Sequence, residues 1–320
     1  MVYFDLKNKK AECPPIACPS VAALGIFDGV HVGHATLISR AIEERDRLRA
    51  KGIPAAAVVW SLFENPKCAS SLSDLDEKLN IFASLGVDYA VVEHFEEVKN
   101  LSPEEFIDRT LISRLDCRHA VCGFNYRFGS HGAGNSELLV SRLKEKSADV
   151  TVVPPVILGG SIVSSSRIRL LIENGDTEEA SELLGRPFSI NFPIVHGKQL
   201  GRTIGIPTIN QNFPDGHIIP KRGIYSSSVE IDGKIFMGVT NVGSRPTFEC
   251  EDRVNSETHI LYYNGILYGK NVKVSFYKRI RDELRFSSAD KLCAQVAQDI
   301  KSTEYYFASR KDFFRPKGEK

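Results

Sequence analysis

The sequence predicts an α/β protein in which a doubly wound parallel sheet is followed by a small antiparallel β-barrel with a closing helix. In the first half, short apolar runs alternate with amphipathic helical patterns, which is typical of a parallel sheet covered on both faces. After Pro187 the helical patterns give way to closely spaced strand-like runs with two-residue hairpin signals, as expected of a barrel. The predicted domains are residues 1–186 and 187–320.

The elements of the first half follow one another in alternation. The strand-like runs cover residues 21–27, 55–60, 87–92, 120–123 and 150–153, and the helical patterns cover residues 35–51, 75–85, 103–115 and 136–146. Serines before and a glycine after the next pattern predict a helix at 167–173, and a second helix follows at 177–184. Gly185-Arg186-Pro187 ends that helix and gives the domain boundary.

The second half is predicted to be mostly β-structure. Its strand-like runs cover residues 190–196, 224–230, 235–242, 258–262, 266–268 and 272–276. Asp232-Gly233 and Asn264-Gly265 are dipeptides that favour tight hairpins. The last helical pattern, 289–307, has an apolar face with which it could close the barrel.

Composition narrows the class of protein. The chain has 320 residues, a hydrophobic fraction of 42%, a charged fraction of 25% and a formal net charge of +1, which predict a globular protein without nucleic-acid or membrane partners. The N-terminus lacks the pattern of a signal peptide, and the longest apolar region is interrupted by prolines and glycines. Seven cysteines without CxxC spacing favour reduced thiols and a cytoplasmic location.

The most informative stretch runs from Gly25 to His34 and lies between a predicted strand and a predicted helix. The start of a helix favours anions, because free backbone N–H groups and the positive end of the helix dipole meet there. His31 and His34 can donate to phosphate oxygens as charge develops. Because ligands of parallel sheets bind beyond the carboxyl ends of the strands, we expect a phosphate site at this turn.

Several motifs, in order, resemble those of bifunctional riboflavin kinases/FMN adenylyltransferases, the bacterial FAD synthetases. The resemblance extends from about Val21 to Ile300. The motifs are Gly25-x-Phe27-Asp28-Gly29-x-His31-x-Gly33-His34, Gly123-Phe124-Asn125-Tyr126-Arg127-Phe128-Gly129, Ser164-Ser165-Ser166-Arg167-Ile168-Arg169, His196-Gly197-Lys198, Gly201-Arg202-Thr203-Ile204-Gly205-Ile206-Pro207-Thr208-Ile209-Asn210, Glu257-Thr258-His259-Ile260-Leu261 and Arg281-Asp282-Glu283.

For the first domain the resemblance implies a sheet of the HxGH nucleotidyltransferase type and transfer of an adenylyl group from ATP to FMN. It makes His31 and His34 the phosphate-contacting pair, and Asp28 either shapes the turn or helps to hold magnesium. Asn125 would reach the flavin or its phosphate, where the family often has Asp. The other residues implied to bind nucleotide are Gly25, Phe27, Gly29, Gly33, Ser165, Ser166 and Arg169.

For the second domain the resemblance implies transfer of the γ-phosphoryl group of ATP to the ribityl hydroxyl of riboflavin. Glu257 would be the general base, and Thr208 and Asn210 would ligate Mg²⁺ together with ATP phosphates. Arg281 would lie where flavin and nucleotide meet. The residues implied to bind phosphates around the loop are Gly197, Lys198, Gly201, Arg202 and Pro207.

The sequence leaves alternatives open. The segment Trp60–Pro66 lacks the His that related sequences carry there, so one activity, the riboflavin kinase, could be the only one retained. A different nucleotidyltransferase has no need of the Pro207-Thr208-x-Asn210 loop, and a non-catalytic flavin- or nucleotide-binding protein has no need of Glu257. We expect riboflavin, FMN and ATP as the partners, with flavin as substrate and product, and a monomer or weak homo-oligomer.

Overall fold

The computed structural model describes residues 1–5, 16, 18–63, 68–197, 201, 204–245, 253–310 and 313. The chain divides into two units, Met1–Ser165 and Ser166–Lys320. The predicted boundary between the two activities, after Arg186, lies within the second of these units and stays a prediction. Among the residues that the structure describes, none of the helices combines the length and the apolar composition needed to cross a bilayer.

The first unit is built on a six-stranded parallel sheet. Its strands are β1 (Val2–Asp5), β2 (Ser20–Leu24), β3 (Ala56–Leu62), β4 (Tyr89–Glu93), β5 (Cys117–Gly123) and β6 (Asp149–Val153), in the spatial order β1-β4-β3-β2-β5-β6. The chain runs from β2 to β3 on one side and later returns to β5 on the other side. The end of β2 is therefore the point at which strand order reverses, where ligands of such sheets bind.

Helices cover both faces of the sheet. They are α1 (Val32–Ala50), α2 (Leu75–Leu85), α3 (Phe95–Val98), α4 (Pro103–Glu105), a π-helix (Phe106–Arg114), a 3-10 turn (Ser130–Gly132) and α5 (Ser136–Glu145). One core packs α1 and α2 against the sheet through residues such as Ile38 and Phe82. The core on the other face holds Leu111 of the π-helix and Leu139 of α5. Two ribbons of two-residue strands, 127–128 with 134–135 and 157–158 with 161–162, complete this unit.

The second unit starts with α6 (Ser165–Asn174), which begins at the division, and α7 (Thr177–Leu184). A closed antiparallel barrel follows, with strands β7 (Phe188–Val195), β8 (Ile209–Asn212), β9 (Gly223–Ile231), β10 (Lys234–Arg245), β11 (Arg253–Ile260) and β12 (Asn271–Arg281). Their order around the barrel is β7-β8-β11-β10-β9-β12, and β12 pairs with β7 to close it. The helix α8 (Ala289–Tyr306) and Phe307 pack on the outside of β9 and β10.

The predicted fold class is confirmed, and so is the hairpin at Asp232-Gly233. That turn joins β9 to β10 with φ angles of 48° and 73° at its two residues, as a type I′ turn requires. The strand predicted at 266–268 and the hairpin at Asn264-Gly265 are wrong. β11 and β12 do not pair, and of the apolar residues in the connecting loop Leu267 is buried whereas Ile266 is exposed. Two strands were not predicted, β1 and the polar β8.

Candidate functional site

The glycine-rich stretch forms the turn from β2 into α1. His31 is the residue that caps α1, and its Nδ1 accepts a hydrogen bond from the backbone N–H of His34 at 3.2 Å. The two imidazole rings are stacked, with centroids 3.6 Å apart. The helix therefore starts three residues earlier than predicted, and both histidines lie at its N-terminus, where the dipole favours anions.

Three contacts hold this turn against distant parts of the first unit. Asp28 is buried, and its Oδ1 accepts a hydrogen bond from Leu72 N at 2.8 Å. Gly29 N donates to Ser73 Oγ at 3.2 Å, and Ser165 Oγ donates to the Asp28 carbonyl oxygen at 2.9 Å. Of the two roles left open for Asp28, its contacts favour shaping the turn.

The backbone of the turn is held in a conformation that L-amino acids rarely adopt. Gly29 has φ 76°, and the non-glycine residues Phe27 and Val30 have φ 52° and 37°. Such conformations cost about 1–3 kcal/mol each and persist only where the surroundings enforce them. The Phe27 ring does so here, because it is fully buried between Phe82 and His34.

Glycines leave room for the rings of the turn. A Cβ on Gly25 would stand 3.1 Å from the Phe27 ring, and one on Gly33 would stand 3.2 Å from the His31 imidazole. Both positions are therefore tight even for an alanine. The close packing of these rings explains why glycine occupies positions 25 and 33 of the predicted site.

A buried lysine lies behind the histidines. Lys78 of α2 donates from Nζ to the carbonyl oxygens of Ile26 and Leu62, at 3.3 and 3.2 Å, and so joins the ends of β2 and β3. Burial, and then His31 and the Lys78 ammonium, lower the pKa of His34 well below its ordinary value. His34 is consequently neutral at pH 7. Within the described part of the chain its Nδ1 is buried without a hydrogen-bond partner.

The remaining predicted residues of the first site are spread over three elements. Asn125 is exposed in the loop after β5, the strand beside β2, so it lies at the same edge of the sheet as the turn. Ser165 and Ser166 open α6, and Arg169 follows about one turn later on the same side of that helix. Ser166 is exposed, whereas Arg169 is buried. Of the segment Trp60–Pro66, residues 64–66 lie outside the described residues.

The second site is a row of side chains on three neighbouring strands of the barrel. On β11, Glu257 is directly opposite Asn210 of β8 on one side and Asn241 of β10 on the other. Side chains of directly opposed residues project from the same face of a sheet, so these three groups lie side by side. The row brings together two residues that sequence reasoning assigned, Asn210 and Glu257, and one that it missed.

The loop before β8 supports the same site. Thr208 is two residues from Asn210 and half-buried. The Pro207 carbonyl oxygen is 2.8 Å from His259 Nδ1, and Ile206 N donates to the Gly201 carbonyl oxygen at 2.7 Å, which turns the chain back on itself. Lys198 and Arg202, the predicted phosphate-binding side chains of this loop, lie outside the described residues.

The donors here fit a magnesium ion. Mg²⁺ prefers hard oxygen ligands, and the Asn210 amide, the Thr208 hydroxyl and the nearby Glu257 supply oxygens. Gly197 leaves space beside Asn210, because a Cβ there would stand 2.6 Å from Asn210 Nδ2. Among the described residues, no group of three or more His, Cys, Asp or Glu side chains could hold a metal, so phosphate oxygens would have to complete the coordination.

A cavity of about 310 Å³ adjoins this loop. Its walls include Ile194 of β7, Thr208, Thr258 of β11 and the loop residues Tyr263 and Tyr268. His196 stacks on Tyr268 with ring centroids 4.1 Å apart. The cavity therefore has flat, partly apolar walls next to the candidate metal ligands.

Arg281 is engaged with α8. Its guanidinium makes two hydrogen bonds with the buried Asp299 carboxylate, from Nε to Oδ1 at 3.0 Å and from Nη2 to Oδ2 at 2.6 Å. Its Nη1 donates to the Asp282 carbonyl oxygen at 2.9 Å. The two hydrogen bonds to Asp299 connect the end of β12 to α8.

Sequence reasoning missed Lys78, Asn241 and Asn255, a neighbour of Glu257. Lys78 had a signal, since it stands three residues after Leu75 and four before Phe82, on the apolar face of α2. Asn255 also had one, because it is two residues before Glu257 and so shares its face of the strand. Asn241 had none, since only the observed register places it beside Glu257.

Two family models match the chain. One, for FAD synthetase, matches residues 13–167, and the other, for riboflavin kinase, matches residues 184–307. The first contains the turn with His31 and His34, and the second contains the row with Asn210 and Glu257.

Similar proteins agree with these models. A bifunctional riboflavin kinase/FMN adenylyltransferase of Bacillus subtilis is 34% identical over 299 residues, which are 91% of this chain and 93% of that protein. The Escherichia coli protein of the same name is 34% identical over 310 residues, 94% and 96% of the two chains. Both relatives are thus matched along nearly their whole length.

A solved structure described as a macrolide-efflux protein from Streptococcus pneumoniae has a TM-score of 0.82 and 31% identity, and it covers 95% of this chain and 99% of that one. Its name concerns that protein, whereas the assignment here rests on the two family models and the relatives that match from end to end. The chain carries an FAD synthetase domain and a riboflavin kinase domain, and it belongs to the family of bifunctional riboflavin kinases/FMN adenylyltransferases.

Proposed function

We propose that the chain converts riboflavin to FMN and FMN to FAD, with two molecules of ATP, at two separate sites. The site around His31 and His34 carries out adenylyl transfer, and the site around Asn210 and Glu257 carries out phosphoryl transfer. The observations that support the proposal are two histidines at the N-terminus of α1 and, in the barrel, a carboxylate directly opposite an asparagine amide.

In adenylyl transfer, a phosphate oxygen of FMN attacks the α-phosphorus of ATP, and the bond to the leaving pyrophosphate breaks. No covalent enzyme intermediate is needed, so the protein must position two polyanions and balance their charge. The N-terminus of α1 and the imidazoles of His31 and His34 offer N–H donors to the phosphates. On the sequence resemblance alone, we expect Ser165, Ser166 and Arg169 to supply hydroxyl and guanidinium donors for the leaving group and Asn125 to contact the flavin substrate.

In phosphoryl transfer, the ribityl hydroxyl of riboflavin attacks the γ-phosphorus of ATP, and ADP leaves. A neutral alcohol is a weak nucleophile, so a positioned base is useful, and Glu257 takes the hydroxyl proton as the new bond forms. Thr208 and Asn210 would hold Mg²⁺ together with phosphate oxygens. When bound, the ion would neutralise charge on the phosphates.

The cavity beside Thr208 fits the base of the nucleotide. Its volume, about 310 Å³, and its walls of Ile194, Tyr263 and Tyr268 suit a flat ring. With the base in this cavity, the phosphate groups of the same nucleotide would extend toward Thr208 and the loop of Gly197, Gly201 and Pro207. We extend the same expectation to Lys198 and Arg202 on the sequence resemblance alone.

We further expect the chain to act in the cytoplasm as a monomer or weak homo-oligomer. The near-neutral net charge and the absence of CxxC spacing support a cytoplasmic location. The substrates of both proposed reactions are small molecules, so neither reaction calls for a macromolecular partner.

A product time course tests the proposal. The full chain is incubated with riboflavin, ATP and Mg²⁺, and the flavins are separated by chromatography. We expect FMN to rise and then to give way to FAD, and EDTA to stop both steps. FMN that accumulates without FAD, also when FMN is supplied directly, would limit the chain to the kinase, the alternative favoured by the altered Trp60–Pro66 segment. FAD formed only from added FMN would remove Glu257 from the catalytic residues.

A further inference from the structure

One amide group lies between the proposed base and the proposed metal ligand. Asn255 is on β11, two residues before Glu257 and on the same face of the strand, and it is only 3% exposed. Its Nδ2 donates to Asn210 Oδ1 and to Glu257 Oε1, at 3.3 Å in each case. The two groups that the proposed phosphoryl transfer requires thus share a single donor.

The chemistry of these groups sets the orientation of both amides. An ionised carboxylate only accepts hydrogen bonds, so the end of Asn255 that faces Glu257 must be its NH₂ group. The same NH₂ group then needs an acceptor at Asn210, which must turn its oxygen toward Asn255. The other end of the Asn210 amide, Nδ2, is the atom nearest to the space beside Gly197.

We propose that Asn255 is a positioning residue for phosphoryl transfer, which fixes the Asn210 amide with its oxygen available to Mg²⁺ and holds the Glu257 carboxylate beside it. A carbonyl oxygen has two lone pairs, so Asn210 Oδ1 can accept from Asn255 and still bind a cation. Without the donor, the Asn210 amide can rotate and offer Nδ2, which cannot ligate a metal. This inference rests on the proposed function of the second site.

The first test is kinetic and uses the full chain. In Asn255→Leu, which is close in shape but has no donor, we expect the Mg²⁺ concentration for half-maximal FMN formation to rise and kcat to fall, each by about 10- to 100-fold, as is usual when a partner of a metal ligand is lost. The KM for riboflavin should change little. Asn255→Asp should lose more, because it places an acceptor and a negative charge between two acceptors.

Two controls accompany the kinetics. Conversion of supplied FMN to FAD is assigned to the other proposed site, around His31 and His34, so it should stay at the wild-type rate and report a folded chain. Asn191→Leu makes the same chemical change at an exposed position of β7, outside the row, and should leave the Mg²⁺ dependence unaltered. An Asn255→Leu protein with wild-type Mg²⁺ dependence would overturn the proposal, and so would one in which only the riboflavin KM changed.

A second readout does not depend on turnover. Mn²⁺ replaces Mg²⁺, ADP is present, and the electron paramagnetic resonance signal of free Mn²⁺ gives the number of bound ions. We expect Asn255→Leu to lose the same ion as Asn210→Ala, while Asn191→Leu retains it. If Asn255→Leu keeps that ion, the proposed role in metal binding is wrong.

Failure of this inference can be told from failure of the proposed function. If wild type forms no FMN, the second site is not a kinase and the function itself is refuted. If wild type forms FMN and Glu257→Gln does not, but Asn255→Leu behaves as wild type in both tests, only the role of Asn255 is refuted.

Discussion

The two proposed sites would hold ATP phosphates with different parts of the chain. At the first site the backbone forms most of the proposed phosphate site, through a helix N-terminus and a turn in which Phe27, Gly29 and Val30 all have positive φ angles. At the second site, side chains in register on neighbouring strands, together with Thr208 of the loop before β8, would supply the chemistry. The first site depends on conformation, whereas the second depends on which residues stand opposite one another.

This difference decides how each site responds to change. A one-residue shift of a strand turns every side chain to the other face, but a closed barrel pins the register of each strand on both sides. Substitution of one functional group at the barrel should therefore remove activity without disturbing the fold. At the turn, by contrast, backbone conformation, core packing and function should be lost together.

We expect the greatest loss of activity from a substitution at Glu257 in the barrel. Glu257→Gln keeps the shape of the side chain but removes the proton acceptor, so we expect FMN formation to fall by about 10²- to 10⁴-fold. Melting temperature and FMN-to-FAD conversion should be unchanged. The measurement is flavin chromatography with riboflavin and, separately, FMN as substrate.

Glu230→Gln is the matched control, since Glu230 is an exposed carboxylate on β9 of the same barrel. It should leave both activities intact. Loss of both activities in a folded Glu257→Gln protein would contradict the assignment of two independent sites.

The next effect concerns Arg281, whose contacts fasten α8 to the barrel. Arg281→Ala leaves the buried Asp299 carboxylate without its cation, and we expect a loss of about 3–5 kcal/mol in the free energy of unfolding, measured by denaturant titration. Replacing both residues by apolar ones, Arg281→Met with Asp299→Leu, should recover most of that stability.

Arg285→Ala, at an exposed position shortly after β12, serves as the control and should have little effect. If Arg281→Ala unfolds like wild type but raises the KM for riboflavin, then Arg281 acts on the ligand, as the sequence resemblance implies, and the contact with α8 is secondary.

A smaller effect tests the backbone at the turn. Gly29→Ala forces an alanine to φ 76° and should cost about 1–2 kcal/mol of stability. Gly52→Ala is a matched control, because Gly52 has φ 77° in open space after α1. Both variants should melt at similar temperatures, but only Gly29→Ala should slow FAD formation, as measured by chromatography. Equal activity in the two variants would mean that the shape of the turn is not needed for adenylyl transfer.

The smallest effect concerns protonation at the same turn. The pKa of His34 is lowered in the folded chain, while the unfolded chain titrates near 6.5. Between these two values the unfolded state binds more protons, so stability rises with pH through this window and falls as the pH is lowered through it.

We therefore expect His34→Gln to flatten the decline of the melting temperature between about pH 7 and pH 5, by roughly 1–3 °C, in calorimetric scans. A decline of the same steepness in His34→Gln and wild type would show that His34 does not titrate as its surroundings indicate.

Much of the fold follows from sequence periodicity, and the rest depends on distant contacts. The alternation of apolar runs and amphipathic helices predicts the parallel sheet, because the runs that form the central strands β2 and β3 are buried on both faces. Periodicity does not predict β8, because Ile209–Asn212 is mostly polar. This segment forms a strand through its pairing with β7 on one side and β11 on the other. The loop at 266–268 misleads for the opposite reason, as its apolar residues form no strand, and Leu267 is buried while Ile266 is exposed.

In the candidate sites, too, some features follow from a local sequence pattern and others depend on distant contacts. The HxGH stretch indicates a phosphate site at a helix start, but the partners of Asp28 and Gly29 lie 44 residues further along the chain and follow no local pattern. Lys78 could have been found from its place on an apolar helix face. Asn241 could not, because only the folded register brings it beside Glu257.

In the closed barrel, β11 is paired with β8 on one side and with β10 on the other. The strand that carries Asn255 and Glu257 is hydrogen-bonded along both edges, so it cannot detach without breaking two ladders at once. Local opening of this strand should therefore be nearly as costly as unfolding the barrel as a whole. We therefore expect activity at this site to disappear together with the barrel, without a partly folded form that is weakly active.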